Sequence, residues 1–468
     1  MNSVAPTRAP RRAPRHGGRR RARLFAHELR ALIGVAVPVV VSQVGAMAMT
    51  TTDTIMLGRL GATALAAAGL AGGVQMLLIV VCNGIVMGMS PLVSQAFGAG
   101  DLRECRRVLV QGLWIALALA VPATLVSVYG RPLSLLLGQE AEVARLTGAY
   151  LAALAPGVLP LLSFMAFRQY LEGMGVTRPA MWMTFLGVGL NAVGNQILIW
   201  GVPGVIPALG VVGSGAATSA VRWAMLGAML VYLMRHPELH PFRGVSLRPV
   251  LERVRRIVRV GFPVGAQLGA EIGIFAFTAV MMGWLGAVQL AAHQVTINVA
   301  ATTYMVPLGA SIAGGIRVGQ HVGAGNRRGV HRAALATYLL ALAFMGACAL
   351  VFLVAPEAIL RLYTDDARII RLGVTLLGLA AAFQIFDGAQ VAALCVLRGA
   401  SDTRVPMWIT LAGYWGVGFP VAYLLGFRTS WAHAGIWGGL VVSLGLVALL
   451  LAFRVRQVLW GRERSWRA

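Results

Sequence analysis

Twelve apolar runs, each about 20 residues or longer, set what this chain can become, because that is the length of helix needed to cross a bilayer. Their rough limits are 31–57, 64–95, 107–129, 143–167, 179–202, 209–233, 257–284, 289–317, 332–354, 370–397, 405–427 and 434–456. Hydrophobic residues make up 58% of the chain and charged ones only 12%, against about 25% charged in soluble domains. A soluble core this apolar would have too little polar surface to cover itself. A β-barrel would show shorter, alternating segments. The expected fold is all-α and integral to the membrane, with twelve transmembrane helices.

The net charge of +24 could suggest nucleic acid, but its placement argues for topology. All the basic side chains are arginine, clustered in "RAPRRAPRHGGRRRAR", "RECRR", "RPVLERVRRIVR", "GNRRGVHR" and "GRERSWRA". These clusters fall between alternate apolar runs, the pattern of cytoplasmic loops. Both termini are therefore expected in the cytoplasm, with no nucleic-acid partner. The N-terminal tail has no apolar stretch of signal-peptide type and reads as a disordered cytoplasmic extension, with contact to anionic lipid as the alternative. The four cysteines are scattered without CxxC spacing, so neither a disulfide framework nor a metal site is indicated.

The chain repeats itself. "LGATALAA" at Leu60 recurs as "LGAVQLAA" at Leu285, "QAFGAG" at Gln95 as "QHVGAG" at Gln320, and Pro38 falls opposite Pro263, all at one offset of 225 residues. "LEGMGVTRPAMW" at Leu171 aligns with "LRGASDTRVPMW" at Leu397, one residue out of phase. Each half holds six spans, so the halves enter the membrane from the same side and are related by a pseudo-two-fold axis along its normal. The expected divisions are a basic tail (1–27), a first lobe (28–236), a linker (237–256), a second lobe (257–458) and a basic tail (459–468). Two lobes facing each other enclose a central cleft, with substrate sites near the midplane.

Three acids lie inside spans, at an expected cost of about 2.5–3.5 kcal/mol each near a helix centre. Asp53 lies toward the outer end of span 1. Glu271 lies roughly 18 Å beyond Arg259 in span 7, at 1.5 Å per residue. Asp387 occupies the middle of span 10, far from Arg371 on one side and Arg398 on the other. The repeat places Asp53 opposite Thr278, Glu271 opposite Ala46 and Asp387 opposite the apolar stretch near Leu161. The acids thus break the internal symmetry, and the second lobe looks specialised for a cation. A structural hydrogen bond, or for Asp53 an interfacial cap, is the alternative. Asn191 and Asn195 share a face of span 5. With Gln43, Gln267, Gln384, Gln390 and Asn298 they are candidates to line a cavity, or to bond helix to helix. Arg222 in span 6 pairs with an acid, snorkels or packs. No phosphate-cradling loop, nucleophile motif or zinc spacing is present, so the expected protein is no enzyme, needs no cofactor and draws its energy from an ion gradient.

These residues carry a resemblance. "VPVVVSQVGAMAMTTTDTIMLGRLGATALAA", "FRQYLEGMGVTRPAM", "GFPVGAQLGAEIGIFAFTAVMMGWLGAVQLAAHQVTIN", "IRVGQHVGAGN" and "FQIFDGAQVAALCVLRGASDTR" resemble the multidrug and toxic compound extrusion family, in its NorM-type bacterial branch. The resemblance runs from about Arg30 to Arg456. It implies a monomeric inner-membrane antiporter that expels cationic or amphipathic drugs in exchange for Na+ or H+. It also implies that Asp53, Glu271 and Asp387 couple the cation, with Glu271 and Asp387 holding Na+ if sodium drives the exchange, and that Asn191 and Asn195 match the family's fifth-span asparagines. Arg222 matches nothing in the pattern. Two rivals stand beside this reading: a lipid-linked sugar flippase, which favours a cationic cavity, and a non-transporting membrane receptor or scaffold.

Overall fold

The computed structural model describes residues 16–461. Within them twelve helices are long and apolar enough to cross a membrane. Spans 1 to 6 are Ala22–Gly58, Ala62–Gly98, Leu102–Val128, Ala141–Gly173, Arg178–Trp200 and Gly210–Arg235. Spans 7 to 12 are Leu251–Leu285, Ala287–Gly323, Arg327–Val354, Ala367–Gly399, Arg404–Phe427 and Ala432–Trp460. Among the described residues β pairing is limited to one isolated bridge, Val202 with Ile206, between spans 5 and 6.

Helices run past the expected apolar limits where the flanking residues favour helix. The first begins at His16, inside the stretch read as a tail, because arginine, alanine and leucine are strong helix formers. Span 7 begins at Leu251, inside the expected linker, for the same reason. The expected tail over 1–15 and the residues 462–468 lie outside the described residues.

Spans 1–6 and 7–12 form two lobes. The first is centred on Leu109, Phe167, Tyr170 and Met229, the second on Leu397, Tyr414, Leu440 and Val447. Between the lobes, span 1 packs on span 8 and span 2 on span 7, as a pseudo-two-fold requires. With twelve spans both chain ends lie on one face, here called the terminal face. The lobes meet in the half of the membrane nearest it. Gly84 and Gly88 of span 2 lie against the backbone of Gly265 and Gly261 of span 7, with no room for a Cβ. Farther from the terminal face the same helix leaves span 7, and nothing lies within 4 Å of the missing Cβ of Gly69, Gly72 or Gly73. Glycine is needed at the crossing because only a backbone without Cβ permits such an approach.

A reciprocal polar latch closes the terminal face. Gln95, at the end of span 2, donates through Nε2 to Gly399 O and Ser401 Oγ, both at 2.9 Å, where span 10 ends. Its repeat partner Gln320, at the end of span 8, donates through Nε2 to Gly173 O at 3.2 Å, where span 4 ends. Each glutamine thus caps a helix of the opposite lobe, satisfying carbonyls that a helix end leaves open. Two ion pairs reinforce the latch. Glu28 of span 1 meets Arg317 of span 8 at 2.9 and 3.0 Å, and Arg253 of span 7 meets Glu104 of span 3 at 2.5 and 2.6 Å. Each neutral hydrogen bond contributes about 1 kcal/mol net, so the double substitution Q95A/Q320A removes roughly 3 kcal/mol from the closed terminal face. Spin-label distances between spans 2 and 8 across that face should broaden toward longer values. An unchanged distribution would show that the glutamines do not hold the lobes together.

Candidate functional site

The second lobe gathers four titratable side chains from four spans. Asp387 of span 10 is only 5% exposed and interacts electrostatically with half-buried Glu271 of span 7. Tyr304 of span 8 and Tyr414 of span 11 interact with both acids. An opposing charge, Arg398 of span 10, acts on Glu271. With two acids and one arginine acting on it, the cluster carries excess negative charge when both acids are ionised.

Local backbone irregularity brings Tyr414 into place. Span 11 widens into a π-helical stretch over Ala412–Gly418, AGYWGVG. Three glycines lower its helix propensity, and such bulges recur at functional sites. Gly413 and Gly418 sit where a Cβ would strike Val447 and Ser443 of span 12. Ser443 Oγ donates to Gly413 O at 2.9 Å, taking up a carbonyl that the irregular turn exposes. The bulge also sends Trp415 toward span 7, where its Nε1 donates to Ala270 O at 3.3 Å, next to Glu271.

Span 10 supplies amide oxygens as well. Gln384, Asp387 and Gln390 follow one another in steps of three and so lie on one side of the helix. Gln390 Nε2 donates to Tyr414 Oη at 2.5 Å, which leaves the phenolic proton for another acceptor. Gln384 Nε2 donates to Thr303 Oγ1 of span 8. Oε1 of both glutamines is buried without a hydrogen-bond partner among the described residues. Two carboxylates, two phenols and two open amide oxygens form the kind of all-oxygen set that suits a hard cation. Among the described residues no group of three or more His, Cys, Asp or Glu side chains is placed to hold a metal ion. Any bound Na+ would therefore depend on the amide and phenol oxygens.

The first lobe builds a different cluster. Asn195 Nδ2 donates to Asp53 Oδ1 at 2.6 Å and lies 3.3 Å from Asn191 Oδ1. Asn191 Nδ2 in turn is 3.4 Å from Thr218 Oγ1 of span 6. Both asparagines are fully buried. Arg222 interacts electrostatically with Asp53 and with Tyr150 of span 4, so the arginine without a family counterpart belongs to this site. Its Nη1 and Asn195 Oδ1 are buried without a hydrogen-bond partner among the described residues. Here one acid faces one arginine, and the charge is balanced internally.

The remaining candidates are occupied elsewhere. Gln43 accepts from Arg168 Nη2 at 3.1 Å, beside the Arg168–Glu172 pair at 2.6 Å. Gln267 Nε2 donates to Thr410 Oγ1 at 3.0 Å, joining spans 7 and 11. Asn298 is exposed and accepts from Tyr363 Oη at 3.2 Å. Tyr150, Tyr304 and Tyr414 were not singled out from the sequence, where an isolated tyrosine in an apolar run carries no mark of its neighbours.

Comparison with known proteins agrees with this architecture. The MatE family profile matches the chain twice, over 38–197 and 263–424, so its two matches begin at Pro38 and Pro263, the offset of the internal repeat. A probable multidrug resistance protein NorM from Mesorhizobium japonicum is 36% identical over 93% of this chain and 95% of its own. One from Burkholderia pseudomallei is 38% identical over 90% of this chain and 91% of its own. Among solved structures, a MATE protein in the bent conformation superposes with a TM-score of 0.86 over 95% of this chain and 99% of its own, at 21% identity. The eukaryotic MATE transporter AtDTX14 superposes with a TM-score of 0.83 over 94% of this chain and 99% of its own, also at 21% identity. With its fold, its repeat and two-thirds of its length matched by the family profile, the chain belongs to the MatE family.

Proposed function

We propose that this protein is a secondary active multidrug efflux antiporter. It exports cationic or amphipathic organic compounds in exchange for inward Na+ or H+, as a monomer in a bacterial inner membrane. The observation that carries the reading is the second-lobe cluster. Two acids, Glu271 and Asp387, sit inside spans 7 and 10 within electrostatic reach of each other, with Arg398 acting on Glu271. Excess negative charge in a low-dielectric site favours capture of a cation. The multidrug resistance proteins named above support drugs as the cargo. The arginine clusters beside the terminal face support reading that face as cytoplasmic, with the closed latch on the inner side.

In this cycle the outward-open protein takes a cation onto Glu271 and Asp387, from the bulk, through half-buried Glu271. Tyr414 donates its phenolic proton to whichever carboxylate stays ionised, and the open oxygens of Gln384 and Gln390 complete a shell for Na+. Loading neutralises the site and loosens a bound cationic drug. The two ligands therefore bind with negative coupling, and linkage makes that coupling reciprocal. The lobes then rock about the span 1–8 and span 2–7 contacts, the latch on the cytoplasmic face opens, and the cation is exchanged for drug. Asp53, held by Asn195 and opposed by Arg222, serves as a second binding group in the first lobe.

Dye efflux from liposomes holding the purified protein, driven by a sodium gradient and separately by a proton gradient, tests this reading. One of the two gradients should drive export. Asp387→Asn should cut the driven rate at least about tenfold, the scale of a lost 1.4 kcal/mol interaction, while the protein still inserts and folds. Export at the wild-type rate would remove Asp387 from the mechanism. Tyr414→Phe should slow export and also lower stability by about 1–3 kcal/mol, because Gln390 loses its buried acceptor. Unchanged thermal unfolding and unchanged transport would contradict both roles.

A further inference from the structure

A cavity apart from both acid clusters lies on the terminal face and encloses about 1010 Å³ between the lobes. Its wall carries six arginines: Arg253, Arg255, Arg256, Arg259, Arg404 and Arg454. Three acids share the wall, Glu104, Glu252 and Asp402. Two of them are already engaged, Glu104 by Arg253 at 2.5 Å and Asp402 by Arg454 at 2.7 Å. No ion pair among the described residues holds Arg255, Arg259 or Arg404. The floor is apolar, with Leu92, Val260, Val322 and Val458.

Two helices also begin at this wall. Span 11 starts after Thr403 and span 7 after Val250, and neither start has a side-chain cap. Their first amides and the positive ends of their dipoles add to the arginine field. The internal repeat supplies a control. Thr177 and Arg178 open span 5 as Thr403 and Arg404 open span 11, and a smaller cavity of about 420 Å³ lies there. That cavity has Arg178 as its one charged lining residue, beside Trp182 and Tyr232. The repeated scaffold therefore does not dictate the arginine surplus of the larger cavity. A general rule for basic loops calls for arginine on this face, but not for its concentration around one concave wall.

We propose that this vestibule binds a phosphate group, presented by an anionic phospholipid or by a soluble phosphate compound. Guanidinium groups match phosphate oxygens in pairs, and the apolar floor accommodates the carbon chain of an amphiphile. Gln95, Ser401 and the Glu104–Arg253 pair border the same cavity, so the occupant sits against the latch and favours the closed terminal face. The site is independent of the coupling acids and stands or falls apart from them.

Binding to the full-length protein in neutral detergent is measured by calorimetry at fixed ionic strength. The probes are short-chain phosphatidylglycerol, short-chain phosphatidylcholine and inorganic pyrophosphate. Saturable binding of phosphatidylglycerol alone supports the site and assigns it to a lipid headgroup. Saturable binding of pyrophosphate supports it and assigns it to soluble phosphate. In either case the triple variant R255Q/R259Q/R404Q should bind at least about tenfold more weakly. The control R327Q/R328Q/R332Q, which removes as many charges from the start of span 9, should bind as wild type does. If the triple variant does not fold, R404Q alone is read the same way. No saturable binding of either anion, or equal weakening in variant and control, overturns the proposal.

Discussion

A carboxylate inside a bilayer has to be neutralised, and the way each lobe meets that demand organises the rest of this protein. In the first lobe the answer is internal. Asp53 receives a hydrogen bond from Asn195 at 2.6 Å and feels the charge of Arg222. In the second lobe Asp387 interacts electrostatically with a second acid, Glu271, with Arg398 acting on Glu271. In the proposed exchange this second site takes its countercharge from a mobile cation, and the ion gradient supplies the energy. The two lobes share one scaffold and differ mainly in where the countercharge comes from.

The lobe interface suits a moving part. Large apolar side chains fill the lobe centres, whereas the contacts between spans 2 and 7 are glycine backbones and those at the terminal face are two glutamines and two ion pairs. Neutral hydrogen bonds and the partly exposed Arg253–Glu104 pair are each modest in net free energy because water replaces them when broken. Such an interface holds one arrangement without trapping it. Both lobes contribute a glutamine to closing the face.

Much of this architecture is legible in the amino-acid sequence. Span number, fold class and the internal repeat follow from apolar length and one shared offset, signals that lipid enforces strongly. The three acids stood out because each breaks an apolar run. Asn191 and Asn195 could be paired from their spacing alone. What spans could not announce was which helices face one another. Tyr150, Tyr304 and Tyr414 reach the acids from neighbouring helices, and Tyr414 does so through a π-helical bulge that hydropathy does not register. Gln95 and Gln320 were visible as repeated letters, but their role depends on helix ends of the opposite lobe. Gln43 and Gln267 read like cavity lining because a polar residue in a span looks the same whether it meets a ligand or, as here, Arg168 and Thr410.

The central claim is that cargo and coupling ion exclude each other at Glu271 and Asp387. The most direct measurement counts ions released when a cationic dye binds to the purified protein in weakly buffered solution, with a pH electrode for protons and a sodium electrode for Na+. The account predicts that dye binding expels one of these ions, and that the release disappears in an E271Q/D387N protein. Dye that binds the wild-type protein tightly while releasing neither ion would contradict it.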